Sequence, residues 1–143
     1  DIRDRETFIT YIADMADTVG LLSDKNLFLK SVQEREHILP TSVGFKVAIP
    51  HGRSSSVREP FVSFMKTKHE FIWDTRNNNE VDLIFLIAVP EKNENNLHLR
   101  FLAEISKKLM DSSFRERLRN ADNEHEVFVI LHEINEKVME ENT

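Results

Sequence analysis

The sequence predicts an α/β layered domain with helices packed on a mixed sheet. Three observations carry this reading. Residues 81–89 are nearly all apolar and rich in β-branched and aromatic side chains, as expected of a strand covered on both faces at the centre of a sheet. Apolar residues recur at three- and four-residue steps both before and after it, the mark of amphipathic helices. The order of these patterns is helix, helix, strands, helix, helix, which calls for helices layered on a sheet.

In chain order, residues 5–19 form the first predicted helix, with Phe8, Ile12, Met15, Ala16 and Val19 on one face and Gly20 as its stop. A second runs from Asp24, a good N-cap, to about Glu36, with Leu27, Val32 and Leu29 facing inward. Pro40 breaks that pattern. Val47-Ala48-Ile49 reads as a short strand ended by Pro50 and Gly52. Residues 61–68 alternate as a strand near a sheet edge, and Pro90 ends the apolar strand 81–89. Helices follow at about 96–110, 114–118 and 124–138. Trp73 is read as a packing residue and 74–79 as a loop.

The 143 residues suit one compact domain, 1–143, and show no repeat or Gly/Ser linker. The chain opens on Asp1 rather than Met, as a piece cut from a longer polypeptide would. A hydrophobic fraction of 40% and a charged fraction of 31% are those of an ordinary globular protein. The net charge of −6 and the lack of a dense Lys/Arg block argue against a nucleic-acid binder. The absence of cysteine excludes disulfides and thiolate chemistry, and it suits a cytoplasmic setting. No apolar run approaches the roughly 20 residues of a membrane-spanning helix.

The segment Ala48-Ile49-Pro50-His51-Gly52 carries the chemistry. It is expected to present an imidazole at the end of a strand, where α/β sheets commonly build their sites. Pro50 fixes its own φ, and Gly52 is expected to turn the backbone. A neutral histidine nitrogen is nucleophilic near pH 7, and a hydrogen bond to the other nitrogen selects the tautomer. The plain alternative is a surface-turn histidine. His98 falls in the first turn of the 96–110 helix, on the face shared by Leu97, Phe101, Leu102, Ile105 and Leu109, so its ring is expected to point toward the sheet. Its alternative role is a structural histidine bonded to backbone. Arg35, between Glu34 and Glu36, would bind phosphate oxygens if its planar fork entered the His51 cleft; otherwise it is a solvated arginine. Arg53 is a second phosphate candidate or a loop residue facing a partner.

Other chemistries lack their patterns. His37, His51, His69, His98, His125 and His132 show neither the i, i+4 pairing nor the His-Glu spacing of zinc enzymes, and His125 and His132 are expected to face solvent. Ser54-Ser55-Ser56 lacks the glycines of a hydrolase elbow. It reads as a polar loop.

Taken together, Glu34-Arg35-Glu36, residues 41–44, Val47 to Arg53, residues 81–90 and Asn96-Leu97-His98-Leu99 resemble the enzyme IIA domains of the fructose–mannitol type of the sugar phosphotransferase system. The similarity covers nearly the whole chain, with blocks in the same order and spacing. It implies a mixed sheet with helices on both sides. It also implies a phosphocarrier that takes a phosphoryl group from phospho-HPr onto histidine Nε2 and passes it to a cysteine of a IIB domain. By this match His51 is the phosphorylated residue, His98 the second active-site histidine, and Arg35 the arginine that stabilises the phosphoryl group. Transfer between proteins requires no metal, nucleotide or other cofactor, and its site should be shallow with an apolar rim, Phe45 being one candidate for that rim. Many members carry Gly-x-Gly before Ala-Ile-Pro-His, whereas here Lys46 replaces the second glycine, which should stiffen the loop and add positive charge. Similar domains also serve as regulatory modules in which the same phosphorylation controls a binding state. The resemblance implies that the choice of sugar belongs mainly to the membrane component.

Overall fold

The computed structural model describes residues 2–92 and 97–141, with 97, 98, 135 and 137–141 described by backbone alone. The chain divides into two compact units, Asp1–Asn93 and Glu94–Thr143.

In the first unit, helix α1 spans Arg5–Thr18. Asp4 caps it, its carboxylate accepting from the Thr7 amide at 2.7 Å and the Thr7 hydroxyl at 2.8 Å. Its buried face is Phe8, Ile9, Ile12, Ala13 and Ala16. The buried arc is centred between Ile9 and Ile12, so Met15 lies at its margin and is exposed. Val19 is the C-cap, beyond the helix, and is also exposed, contrary to the periodicity. Gly20, at φ +84°, closes the end as expected. Its amide donates to Asp17 and the Leu21 amide donates to Ala16 at 2.9 Å, satisfying carbonyls the helix leaves open.

Helix α2 spans Lys25–Ile38, capped by Asp24, which accepts from the Leu27 amide at 3.1 Å. Phe28, Val32 and Glu36 form its buried file at four-residue spacing. Leu27, expected inside, is 42% exposed because the neighbouring Phe28 takes the inward position.

The sheet has five strands: β1 (Ser42–Gly44), β2 (Val47–Ala48), β3 (His51–Ser54), β4 (Phe61–Asp74) and β5 (Asn79–Pro90). It is mixed. The centre is β5, with β2 and β3 parallel along one side, β4 antiparallel on the other, and β1 antiparallel to β2. The apolar run thus takes the central place its composition predicted.

One expectation is corrected here. The strand does not end at Pro50. Val47 and Ala48 pair with Leu83 and Ile84, and His51 to Ser54 pair with Ile87 to Pro90 in the same register. Proline lacks the N–H a ladder needs, so Ile49-Pro50 interrupts the pairing. The Pro50 carbonyl still accepts from the Ile87 amide at 3.0 Å, and the strand resumes. His51 therefore lies at the start of a regular strand rather than in a turn.

Helices α1 and α2 cover one face of the sheet. Phe8, Ile9, Phe28 and Val32 pack with Ala48, Trp73, Ile84, Leu86 and Ala88 in one continuous core. Trp73 is 2% exposed and meets Phe8 edge-on, as a packing residue should. Across the sheet, Phe64 of β4 stacks at a tilt on Phe85 of β5 with ring centroids 4.8 Å apart.

The second unit is helical: α3 (Leu97–Leu109), α4 (Ser112–Asn120) and α5 (Glu124–Glu141). Asp111 caps α4, and α3 packs against both others. Phe101, Ile105 and Leu109 are buried, which bears out the apolar face read for this helix. Among the described residues no helix is long and apolar enough to cross a membrane.

Candidate functional site

The site is built where β3 meets α2. Gly52 follows His51 on β3, and a Cβ placed on it would come within 2.8 Å of both the Ser31 hydroxyl and Val32 Cγ2. The glycine is there for close approach of strand to helix, not for a turn as its flanking residues suggested. That approach brings the last turn of α2, and with it Arg35, onto His51.

Arg35 Nε donates to His51 Nε2 at 3.1 Å, and its Nη1 donates to the Leu39 carbonyl at 2.7 Å. On the other side of the ring, His51 Nδ1 lies 3.1 Å from the Ile49 carbonyl. A carbonyl only accepts, so Nδ1 carries the proton. A guanidinium only donates, so Nε2 carries none. The two contacts fix one neutral tautomer, with the proton on Nδ1 and the Nε2 lone pair accepting from Arg35. The half-buried setting lowers the His51 pKa below its ordinary 6.5. Burial is the main cause, the Ile49 carbonyl opposes it, and the Arg35 cation adds to it. The ring is thus a neutral nucleophile at physiological pH.

Several residues that support this geometry were not singled out by sequence. Glu36 sits on the apolar file of α2 and is 2% exposed. Thr41 donates to it from its amide at 3.2 Å and from its hydroxyl, and Trp73 Nε1 donates at 3.3 Å. Arg76 reaches the Glu36 and His37 carbonyls at 3.4 and 3.0 Å and so caps the end of α2. The four-residue spacing Phe28, Val32, Glu36 was the available signal for the first of these.

The other expected residues fall as follows. His98 lies in the first turn of α3, as predicted, but its side chain is outside the described residues. Arg53 is exposed and donates through Nε to the Glu91 carbonyl at 2.7 Å. Ser54 and Ser56 are buried and hydrogen-bonded to each other, so this stretch is not simply a polar loop. Phe45 is 52% exposed, which excludes a core role. Ile38, Leu39 and Val43 are also exposed, and Leu39 adjoins the site through its bond from Arg35. Lys46, in place of the glycine, adopts φ +63°, and its ammonium is paired with Glu70 at 2.5 Å, which offsets its charge. His125 and His132 are exposed, as expected. Among the described residues no group of three potential ligands is placed to hold a metal ion.

Residues 1–134 match the family model for the phosphoenolpyruvate-dependent sugar phosphotransferase system, EIIA 2. The chain belongs to this family. It is 31% identical over 130 residues to the fructose-specific EIIA component of Haloferax volcanii, covering 91% of this chain and 84% of that protein. It is 32% identical over 120 residues to the fructose-specific EIIABC component of Mycoplasma pneumoniae, covering 84% of this chain but only 17% of that multicomponent protein. Among solved structures, the nitrogen regulatory protein IIA-Ntr from Neisseria meningitidis superposes with a TM-score of 0.81 at 28% identity, covering 92% of this chain and 88% of that one. The IIA mannitol structure from Escherichia coli, at 22% identity and a TM-score of 0.73 over 92% of this chain and 91% of that one, has the same fold. The EIIA fold, a mixed sheet flanked by helices, is thereby shown for this chain, and so is its place among the system's phosphocarriers.

Proposed function

We propose that His51 accepts a phosphoryl group on Nε2 from a phosphorylated carrier protein of the HPr kind, and that the phosphorylated state then governs what this domain binds. The observation that carries the first half is the clamp on the imidazole: Arg35 Nε at one nitrogen and the Ile49 carbonyl at the other. In the transfer, the P–N bond of the donor breaks as the His51 Nε2–P bond forms. The ring gains positive charge, and the Nδ1–H bond to Ile49 strengthens as it does so. Arg35 must leave Nε2 for this to happen. Its guanidinium then serves the phosphoryl oxygens from the same anchor, the Leu39 carbonyl. We assign His98 as the second active-site histidine on its place in the motif. Exposed Ile38, Leu39 and Phe45 supply an apolar rim for partner proteins.

The regulatory outcome is favoured by the superposition on IIA-Ntr, which is better than that on IIA mannitol. A second reading, relay of the group to a IIB cysteine for sugar uptake, is favoured by the fructose-specific relatives above 30% identity.

The experiment is phosphorylation with phosphoenolpyruvate and the general phosphotransfer proteins, read by intact mass. An acid-labile phosphoryl group is expected on the parent protein and none on His51→Ala. Unaltered labelling of that variant would remove His51 from its role. Adding candidate IIB domains then separates the outcomes, since rapid discharge supports relay and persistence of the phosphoprotein supports regulation. His98→Ala is expected to fold and to transfer more slowly.

A further inference from the structure

We infer that Glu36, with Thr41, is a positioning residue for the histidine: the pair holds the imidazole in the tautomer that leaves Nε2 unprotonated. The inference deepens the proposed phosphoryl acceptance and rests on it. It starts from a buried carboxylate that the transfer itself does not use.

The geometry is a closed circuit of hydrogen bonds. Arg35 and Glu36 are adjacent at the end of α2. Glu36 accepts from the Thr41 amide at 3.2 Å and from the Thr41 hydroxyl. The Thr41 carbonyl accepts from the Ile49 amide at 3.0 Å. The Ile49 carbonyl accepts from His51 Nδ1 at 3.1 Å. His51 Nε2 accepts from Arg35 Nε at 3.1 Å, which returns the circuit to the helix. Residue Ile49 is thus held through its N–H by Thr41, while its C=O, in the next peptide unit, orients the ring.

Two features give the circuit its fixed point. Glu36 does not move with α2 alone. Trp73 Nε1 donates to it from β4 at 3.3 Å, and Arg5 Nη1 of α1 stands 4.0 Å away. The segment it holds needs holding, because Ile49-Pro50 is where the ladder to β5 is interrupted. A peptide with fewer sheet bonds takes its orientation from other partners. Glu36 also acts on the ring at a distance, since its charge partly offsets the lowering of the His51 pKa.

The test is imidazole nitrogen NMR of unphosphorylated protein, with transfer rates alongside. In the parent, His51 should be in the Nδ1–H form. Glu36→Gln keeps an acceptor for Thr41 and Trp73 and a donor for the Thr41 hydroxyl, so it should retain that form. In Glu36→Ala the tautomers should mix, and transfer should slow on the order of 10- to 100-fold, as for a misplaced reacting group. Thr41→Val keeps the amide but loses the hydroxyl, and should mix the tautomers less. It covers the event that Glu36→Ala does not fold. A pure Nδ1–H signal in folded Glu36→Ala, or in Thr41→Val where the former is unfolded, would overturn the inference. Failure of the parent to take up phosphate would sink the proposed acceptor role. The tautomer measurement would still decide the positioning role.

Discussion

Arg35 Nε and His51 Nε2 are 3.1 Å apart, so the nitrogen that would bond to phosphorus is occupied by a guanidinium N–H. The contact serves the resting state in two ways. It keeps Nε2 unprotonated, and under the proposed function it holds the arginine where the phosphoryl oxygens would arrive.

Removing that arginine should therefore separate two effects. In Arg35→Ala the His51 pKa should rise toward its ordinary value, because one of the causes lowering it is lost while burial remains. Transfer should slow by about 10²-fold, the scale for losing one preorganised donor to developing charge. Titration of the His51 ring signals and single-turnover transfer would check both. A parental transfer rate in this variant would withdraw Arg35 from the site.

Gly52 makes a second prediction. In Gly52→Ala the new methyl would meet Val32, whose β-branched side chain has little rotamer freedom. The cost should be about 1–3 kcal/mol, as for overpacking a core. The relief open to the chain is to move α2 away from β3, which lengthens the Arg35–His51 contact. Thermal unfolding should show the loss of stability, and transfer should slow in the folded fraction. An unchanged melting temperature would contradict the close-approach account.

The lowered His51 pKa has a pH consequence with a definite sign. Between the folded value and the ordinary 6.5, the unfolded chain binds more protons than the folded one. Stability from this group is thus intact above about 6.5, is lost as pH falls through that value, and levels off below the folded pKa. Denaturant midpoints measured across this range should show the drop in the parent. His51→Gln should lack that component.

Lys46 tests the departure from the family's glycine pattern. It holds a positive φ that costs a non-glycine residue free energy, and it follows Phe45, also at positive φ. Its ion pair with Glu70 is exposed and contributes little in return. Lys46→Gly should raise the melting temperature by a few degrees without changing transfer at His51. A lower melting temperature would show that the pair outweighs the strained backbone.

Local rules were enough for much of the fold. Asp24 announced a helix start, Gly20 a helix end, and the run 81–89 a central strand. These features depend on neighbours a few residues away, so the sequence exposes them directly. The same rules misplaced Met15 and Leu27, because propensity and period indicate a helix without fixing which side faces the core.

By itself, the sequence determined the α/β class and singled out the His51 segment as the candidate site. Tertiary structure alone decided the rest: that the strand resumes beyond Pro50, that Gly52 serves close packing on Val32, and that Glu36 is buried. It also decided that Arg35, sixteen residues from His51, points at its Nε2. The physical reason is that each of these is a contact between segments distant in the chain. Whether an arginine meets water or an imidazole depends on the helix-to-strand distance, which no local preference records.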